Sequence, residues 1–105
     1  MTTAIIENQE TSSFEMFVDA TQVGYLQFHL SDNIMDITST VIFDEYSGKG
    51  FGAKLVMYTL NHAFERNYSV IPTCPFVVAV IVRKLDKYLS LVRPQDRERF
   101  QLPPA

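Results

Sequence analysis

The chain has a single cysteine, no tryptophan, four glycines and no run of Lys or Arg. One thiol cannot close an internal disulfide, so the stapled scaffolds of small secreted proteins are excluded and a reduced, cytoplasmic setting is expected. Without a basic run, and with a formal net charge of −3, the chain offers no face that neutralises phosphates in number, so no nucleic-acid partner is expected. The longest apolar stretch, Phe76 to Val82, is far too short to span a bilayer. Met1 to Glu7 shows no basic segment followed by an apolar one, so no targeting segment is expected. No His/Cys cluster has metal-ligand spacing, which predicts no metal site. Neither a Ser-His-Asp pattern nor the Gly-Lys-Ser/Thr ending of a nucleotide P-loop can be found. There are no repeats and no low-complexity linkers, and 105 residues suffice for one domain, expected to span residues 1–105.

What is present alternates. Thr2 to Ser13 is polar around Ala4-Ile5-Ile6 and reads as a loosely held terminus rather than a first strand. Phe14, Met16 and Val18 fall on every second position, then Asp19-Ala20-Thr21-Gln22 supplies a polar turn. Leu26, Phe28 and Leu30 alternate with Tyr25, Gln27 and His29, and Ser31-Asp32-Asn33 turns the chain again. From Ile34 to Phe43, strict alternation puts Met35, Ile37, Ser39, Val41 and Phe43 on one face and Ile34, Asp36, Thr38, Thr40 and Ile42 on the other. Three strands with short polar connections predict an antiparallel meander.

The period then changes. Gly48, Gly50 and Gly52 stand at alternate positions, and beyond them Ala53, Val56, Met57, Leu60, Ala63 and Phe64 form an apolar stripe at helical spacing. Arg66 suits the end of that helix and Asn67 its stop. A glycine-rich turn opening a helix presents unpaired N–H groups and the positive end of the helix dipole, the elements of a phosphate cradle; it can equally be only a turn. Tyr68 to Thr73 is short and β-branched, a fourth strand, and the order strand, turn, helix, strand makes it parallel to the third. Cys74-Pro75-Phe76-Val77-Val78-Ala79-Val80-Ile81-Val82-Arg83-Lys84 reads two ways. Its Val/Ile content says buried strand, whereas Pro75 suits the first helical turn and Arg83-Lys84 the last. Pro94 to Phe100 reads as a short surface helix, and Leu102 to Ala105 as a frayed tail.

Two blocks, Gly48-Lys49-Gly50-Phe51-Gly52 and Val70-Ile71-Pro72-Thr73-Cys74-Pro75-Phe76-Val77, together resemble the small, single-domain branch of the GNAT N-acetyltransferases, over roughly residues 14 to 92. The resemblance implies an α/β (α+β) fold: a mixed sheet with an antiparallel three-strand meander, a Gly-rich loop, a long helix, a parallel fourth strand and a second helix. It also implies that Pro75 to about Lys84 is helical. In that family the acetyl-CoA loop reads Arg or Gln, two residues, Gly, one residue, then Gly or Ala; Gly50 and Gly52 match, and Ser47 stands in place of the Arg or Gln. Small members often read His-Thr-Glu-Val in the third strand, where this chain has Thr38-Ser39-Thr40-Val41, and His-Pro-Glu-Tyr after the second helix, where it has Leu85-Asp86-Lys87-Tyr88.

The resemblance therefore implies acetyl-CoA as cofactor, held by Ser47, Gly48, Lys49, Gly50, Phe51, Gly52 and Ala53, and an amine acceptor contacted by Thr38 and Thr40. Cys74, at a strand end before a helix, is the candidate nucleophile or acyl relay, with a small buried hydrophobe as the alternative. Tyr88 is the candidate proton donor to the leaving thiolate, with packing as the alternative. His29 reads as an exposed strand residue, with a place facing the cleft as the alternative, and His62, on the polar side of the long helix, as solvated. Three function classes follow: an acetyl-CoA-dependent N-acetyltransferase, a non-catalytic module that binds CoA or a protein through a degenerate site, and an interaction domain without cofactor.

Overall fold

In the computed structural model, residues 1–104 are described. Among them five strands form one mixed sheet in sequence order: β1 (Thr3–Asn8), β2 (Ser13–Val18), β3 (Thr21–Ser31), β4 (Ile34–Ile42) and β5 (Ser69–Ile71). β1 to β4 are antiparallel and β5 runs parallel to β4. The helices are α1 (Phe51–Glu65), α2 (Pro75–Arg83), α3 (Leu85–Tyr88) and α4 (Pro94–Arg97). This is the α+β architecture that the sequence suggested, with the ambiguous Val/Ile block resolved as helix. Pro75 takes the first position of α2, where its missing N–H costs nothing.

The N-terminal segment differs from expectation. Instead of a loose terminus it is an edge strand, with Thr3 opposite Val18 and Asn8 opposite Ser13. Ile5 packs against the core, enough to register the strand while Ile6 stays exposed on the other face. The hairpins close where Asp19-Ala20 and Asp32-Asn33 adopt positive φ, the geometry that matches strand twist in two-residue turns.

One face of the sheet is buried. Phe14, Met16, Val23, Leu26, Phe28, Met35, Ile37 and Val70 meet Leu55, Val56, Leu60, Val77 and Ile81 in a single core. Each such side chain contributes roughly 1.5–3 kcal/mol on burial. The buried stripe of α1 is Phe51, Leu55, Val56, Thr59, Leu60 and Ala63, rotated from the one expected. Thr59 occupies the inner face because its hydroxyl donates to the Leu55 carbonyl at 2.9 Å, leaving nothing unsatisfied. Phe64 is correspondingly turned out, at 61% exposure. Asn67, at φ 59, ends the helix, and the Tyr68 N–H closes onto the Ala63 carbonyl at 2.9 Å.

Nor is the tail frayed up to residue 104. Leu102 is buried, and the Arg97 guanidinium donates to the carbonyls of Val92, Leu89 and Pro104. Ala105 lies outside the described residues.

A bulge decides what β4 presents. Gln27 pairs with Ser39 but Phe28 pairs with Ile37, which leaves Thr38 as an extra residue on β4. An inserted residue reverses the alternation beyond it. Thr40 and Ile42 therefore turn to the helix side with Ile37, while Thr38 is exposed and donates to the Gln27 carbonyl at 3.3 Å. The expectation that Thr38 and Thr40 share a face fails for this reason.

Candidate functional site

The parallel ladder between β4 and β5 ends at Asp36 opposite Ile71, yet β4 continues to Ile42. One further link follows, from the Cys74 N–H to the Ile37 carbonyl at 2.9 Å. Beyond it the chain leaves as α2, and the rest of β4, still paired with β3 on one side, has no strand on its other edge. The gap opens into a cleft of about 390 Å³ lined by Thr40, Ile42, Gly50, Gly52, Ala53, Phe76 and Arg83.

The glycine loop forms one wall. Gly48 and Gly50 have φ of 76° and 80°, with nothing within 4 Å of where a Cβ would stand. Gly50 is the N-cap of α1 and offers no capping side chain. Among the described residues, the N–H groups of Gly48 to Ala53 meet no acceptor; the Lys54 N–H is the first to bond, to the Gly50 carbonyl at 3.2 Å. Free amides at the positive end of a 15-residue helix favour an anion. Ser47 is turned back, its hydroxyl donating to the Asp44 carbonyl at 2.9 Å. Lys49 and Lys54 are exposed, Phe51 is buried in the core and Ala53 lines the cleft.

The Cys74 thiol stands 3.6 Å from the Thr40 hydroxyl, and Cys74 as a residue is 6% exposed. The structure thus brings Thr40 and the glycine loop around one cleft, with Cys74 against Thr40. Tyr88 is not among them. It is fully buried, its hydroxyl donates to Asn61 Oδ1 at 3.0 Å, and α3 lays it on the C-terminal half of α1. Gly52 and Asn61 are separated by about 13 Å along the helix axis, at ~1.5 Å per residue.

Phe76 and Arg83 line the cleft without having been singled out in the sequence. Their seven-residue spacing puts them on one helical face, a signal visible only once Pro75–Arg83 is taken as helix. His62 also departs from expectation. It is half-buried, its ring 5.0 Å edge-on to Phe14 and near Tyr58 and Tyr68. Burial, and then the neighbouring Arg66, hold its pKa below the ordinary 6.5; Glu7 and Glu65 act weakly in the opposite direction. His29 is exposed on β3.

The family model for GCN5-related N-acetyl-transferases matches residues 13–91. The chain belongs to that family. A GCN5-like putative N-acetyltransferase from Staphylococcus aureus has a similar fold, with TM-score 0.59 and 24% identity over 86% of this chain and 87% of the other. The PaiA N-acetyltransferase from Thermoplasma acidophilum, solved in complex with coenzyme A, aligns with TM-score 0.50 and 18% identity over 53% of this chain. The chain spans only 35% of the PaiA protein's length. No curated protein matches the sequence. As a family member the chain keeps the glycine loop and the helix that follows it, and no helix is long and apolar enough to cross a membrane among the described residues.

Proposed function

We propose that the protein is an acetyl-CoA-dependent N-acetyltransferase that acts on an amine acceptor. One observation carries the reading: unpaired N–H groups from Gly48 to Ala53 open onto the cleft where β4 runs on without β5. The cradle fits a pyrophosphate, because glycines at positive φ let the ligand approach the backbone and the helix dipole favours its charge. When bound, acetyl-CoA supplies an activated thioester.

In this reading the loop amides and Lys49 hold the phosphates, and Gly52, Ala53 and Phe76 border the path inward. Thr40 and Cys74 meet the acetyl end, and Thr38 stands on the acceptor side. Cys74 serves there as relay or packing partner, and Tyr88 braces α3 against α1 through Asn61. With Ser47 bonded to its own turn, one phosphate contact is missing, and modest affinity follows. A reduced, cytoplasmic setting belongs to the same reading, Cys74 being a free thiol.

A second reading, cofactor binding without turnover, is favoured by the cleft lining itself, which holds no carboxylate or imidazole to accept a proton. Calorimetric titration with acetyl-CoA tests the first half of the proposal, and absence of binding at millimolar cofactor ends both readings. Thiol release in the presence of a panel of amines then separates them. Release with any amine establishes the enzyme, and binding without release or Cys74 acetylation establishes the module.

A further inference from the structure

The sheet face turned away from α1 and α2 carries a second group of polar side chains. Asp36 stands between the buried Met35 and Ile37, so it points to that outer face. In register it lies opposite His29 on β3 and opposite Ile71 on β5. Directly opposed residues share a face with Cβ atoms about 4.5–5.5 Å apart. Thr73, two residues beyond Ile71, returns to it, and its hydroxyl donates to Asp36 Oδ1 at 2.5 Å. That bond fixes the carboxylate, and among the described residues the second oxygen, Oδ2, has no partner.

The position matters as much as the chemistry. The Asp36–Thr73 side-chain bond and the Ile37–Cys74 backbone bond are adjacent links across the same gap, the last before the β5-side edge of β4 is left unpaired. Asp36 is thus at the apex of the opening on one face of the sheet, as Thr40 and Cys74 are on the other. The two sides have opposite polarity. The cleft beside α1 has helix N-terminal amides and the Arg83 cation, which attract phosphate and repel an ammonium. The outer face has a carboxylate with a free oxygen.

Resting on the acetyltransferase reading, we propose that Asp36, steadied by Thr73 and flanked by His29, forms the subsite for a primary alkylammonium acceptor, which enters from the sheet face opposite the cofactor cleft. Asp36 Oδ2 takes the ammonium through a charge-assisted hydrogen bond. Before its nitrogen can attack, the ammonium must lose a proton. The imidazole of His29 receives it, the ammonium becoming neutral amine and the imidazole becoming imidazolium. The exposed Thr38, two residues along β4, borders the same entrance.

The test is an NMR titration of the full 15N-labelled chain with n-butylammonium chloride, against sodium chloride at equal ionic strength. Saturable shifts at the amides of His29, Asp36 and Thr73 are expected, with the midpoint weakened about tenfold in Asp36→Asn, the size of one charge-assisted hydrogen bond. Acetyl-CoA affinity of that variant, measured by calorimetry, is expected within about twofold of the parent, as for a separate site. Should Asp36→Asn fail to fold, Thr73→Val loosens the same carboxylate and moves the midpoint in the same direction. Shifts no different from sodium chloride, or a midpoint indifferent to these variants, overturn the subsite. Because amine binding is read without cofactor, a chain that binds the amine at Asp36 but not acetyl-CoA refutes the proposed function and leaves the subsite standing.

Discussion

Gly52 on α1 faces the ring of Phe76 on α2: a Cβ at position 52 would lie 3.1 Å from Phe76 Cε2, 3.3 Å from its Cζ and 3.5 Å from Ile42 Cγ1. Such contacts are tight, but the ring is the movable partner, being 42% exposed on the cleft side. In a helix alanine is favoured over glycine by about 1 kcal/mol. Gly52→Ala is therefore expected to leave the melting temperature unchanged or slightly raised while filling the cleft. Acetyl-CoA affinity should fall about tenfold, an amount calorimetry resolves. Unaltered affinity would show that the cofactor does not pass between these two residues.

Gly50 poses the opposite problem. Nothing lies within 4 Å of its absent Cβ, so space is free, but its φ of 80° is one that side chains resist. Gly50→Ala should cost about 1–2 kcal/mol through backbone conformation alone. Gly50→Asn should cost less, since asparagine tolerates this region and caps helices well. Urea denaturation of the pair checks the order, and an alanine variant as stable as the parent would contradict the left-handed cap.

Much of this fold was legible in the sequence, because hydrophobic alternation and the change to helical period come directly from burial on one face. The meander, the parallel return and the glycine loop followed from that. What the sequence conceals has physical causes. Thr59 hides a polar residue in the core by bonding its own helix, which displaced the expected stripe and turned Phe64 outward. Thr38 is an inserted residue, and no periodicity reports a bulge until the partner strand is known. Phe76 and Arg83 share a face only if Pro75–Arg83 is helical, which the Val/Ile composition obscured. Asp36 and Thr73, 37 positions apart in sequence, meet only through the parallel pairing.

Cys74 offers a check on where the acetyl end lies. The residue is 6% exposed, and its sulfur lies 3.6 Å from the hydroxyl of Thr40, which lines the cleft. Native protein should react slowly with iodoacetamide and rapidly once unfolded. Saturating acetyl-CoA should slow the native reaction further, at least about tenfold, by excluding the reagent. Mass spectrometry gives the modified fraction with time. Equal rates with and without the cofactor would remove Cys74 from the acetyl end and leave it a packing residue.

His62 links the helix packing to pH. Its ring is wedged against Phe14, Tyr58 and Tyr68, with Arg66 Nη1 3.2 Å from Nδ1, and its pKa lies below 6.5 for reasons of burial first and the Arg66 charge second. The unfolded chain therefore takes up a proton at this histidine before the folded one does. Stability conferred by the neutral ring is fully present above the unfolded pKa and is lost as pH falls from about 6.5 toward the lower folded value. His62→Gln removes the titrating group, so its stability should vary less with pH across that interval while being lower overall from lost packing. Thermal denaturation of both proteins in steps between about pH 7.5 and 5.5, above the carboxylate range, measures the slopes. An equal slope in the glutamine variant would assign the pH dependence to other groups, and a parent whose stability rises as pH falls would reverse the sign argued for His62.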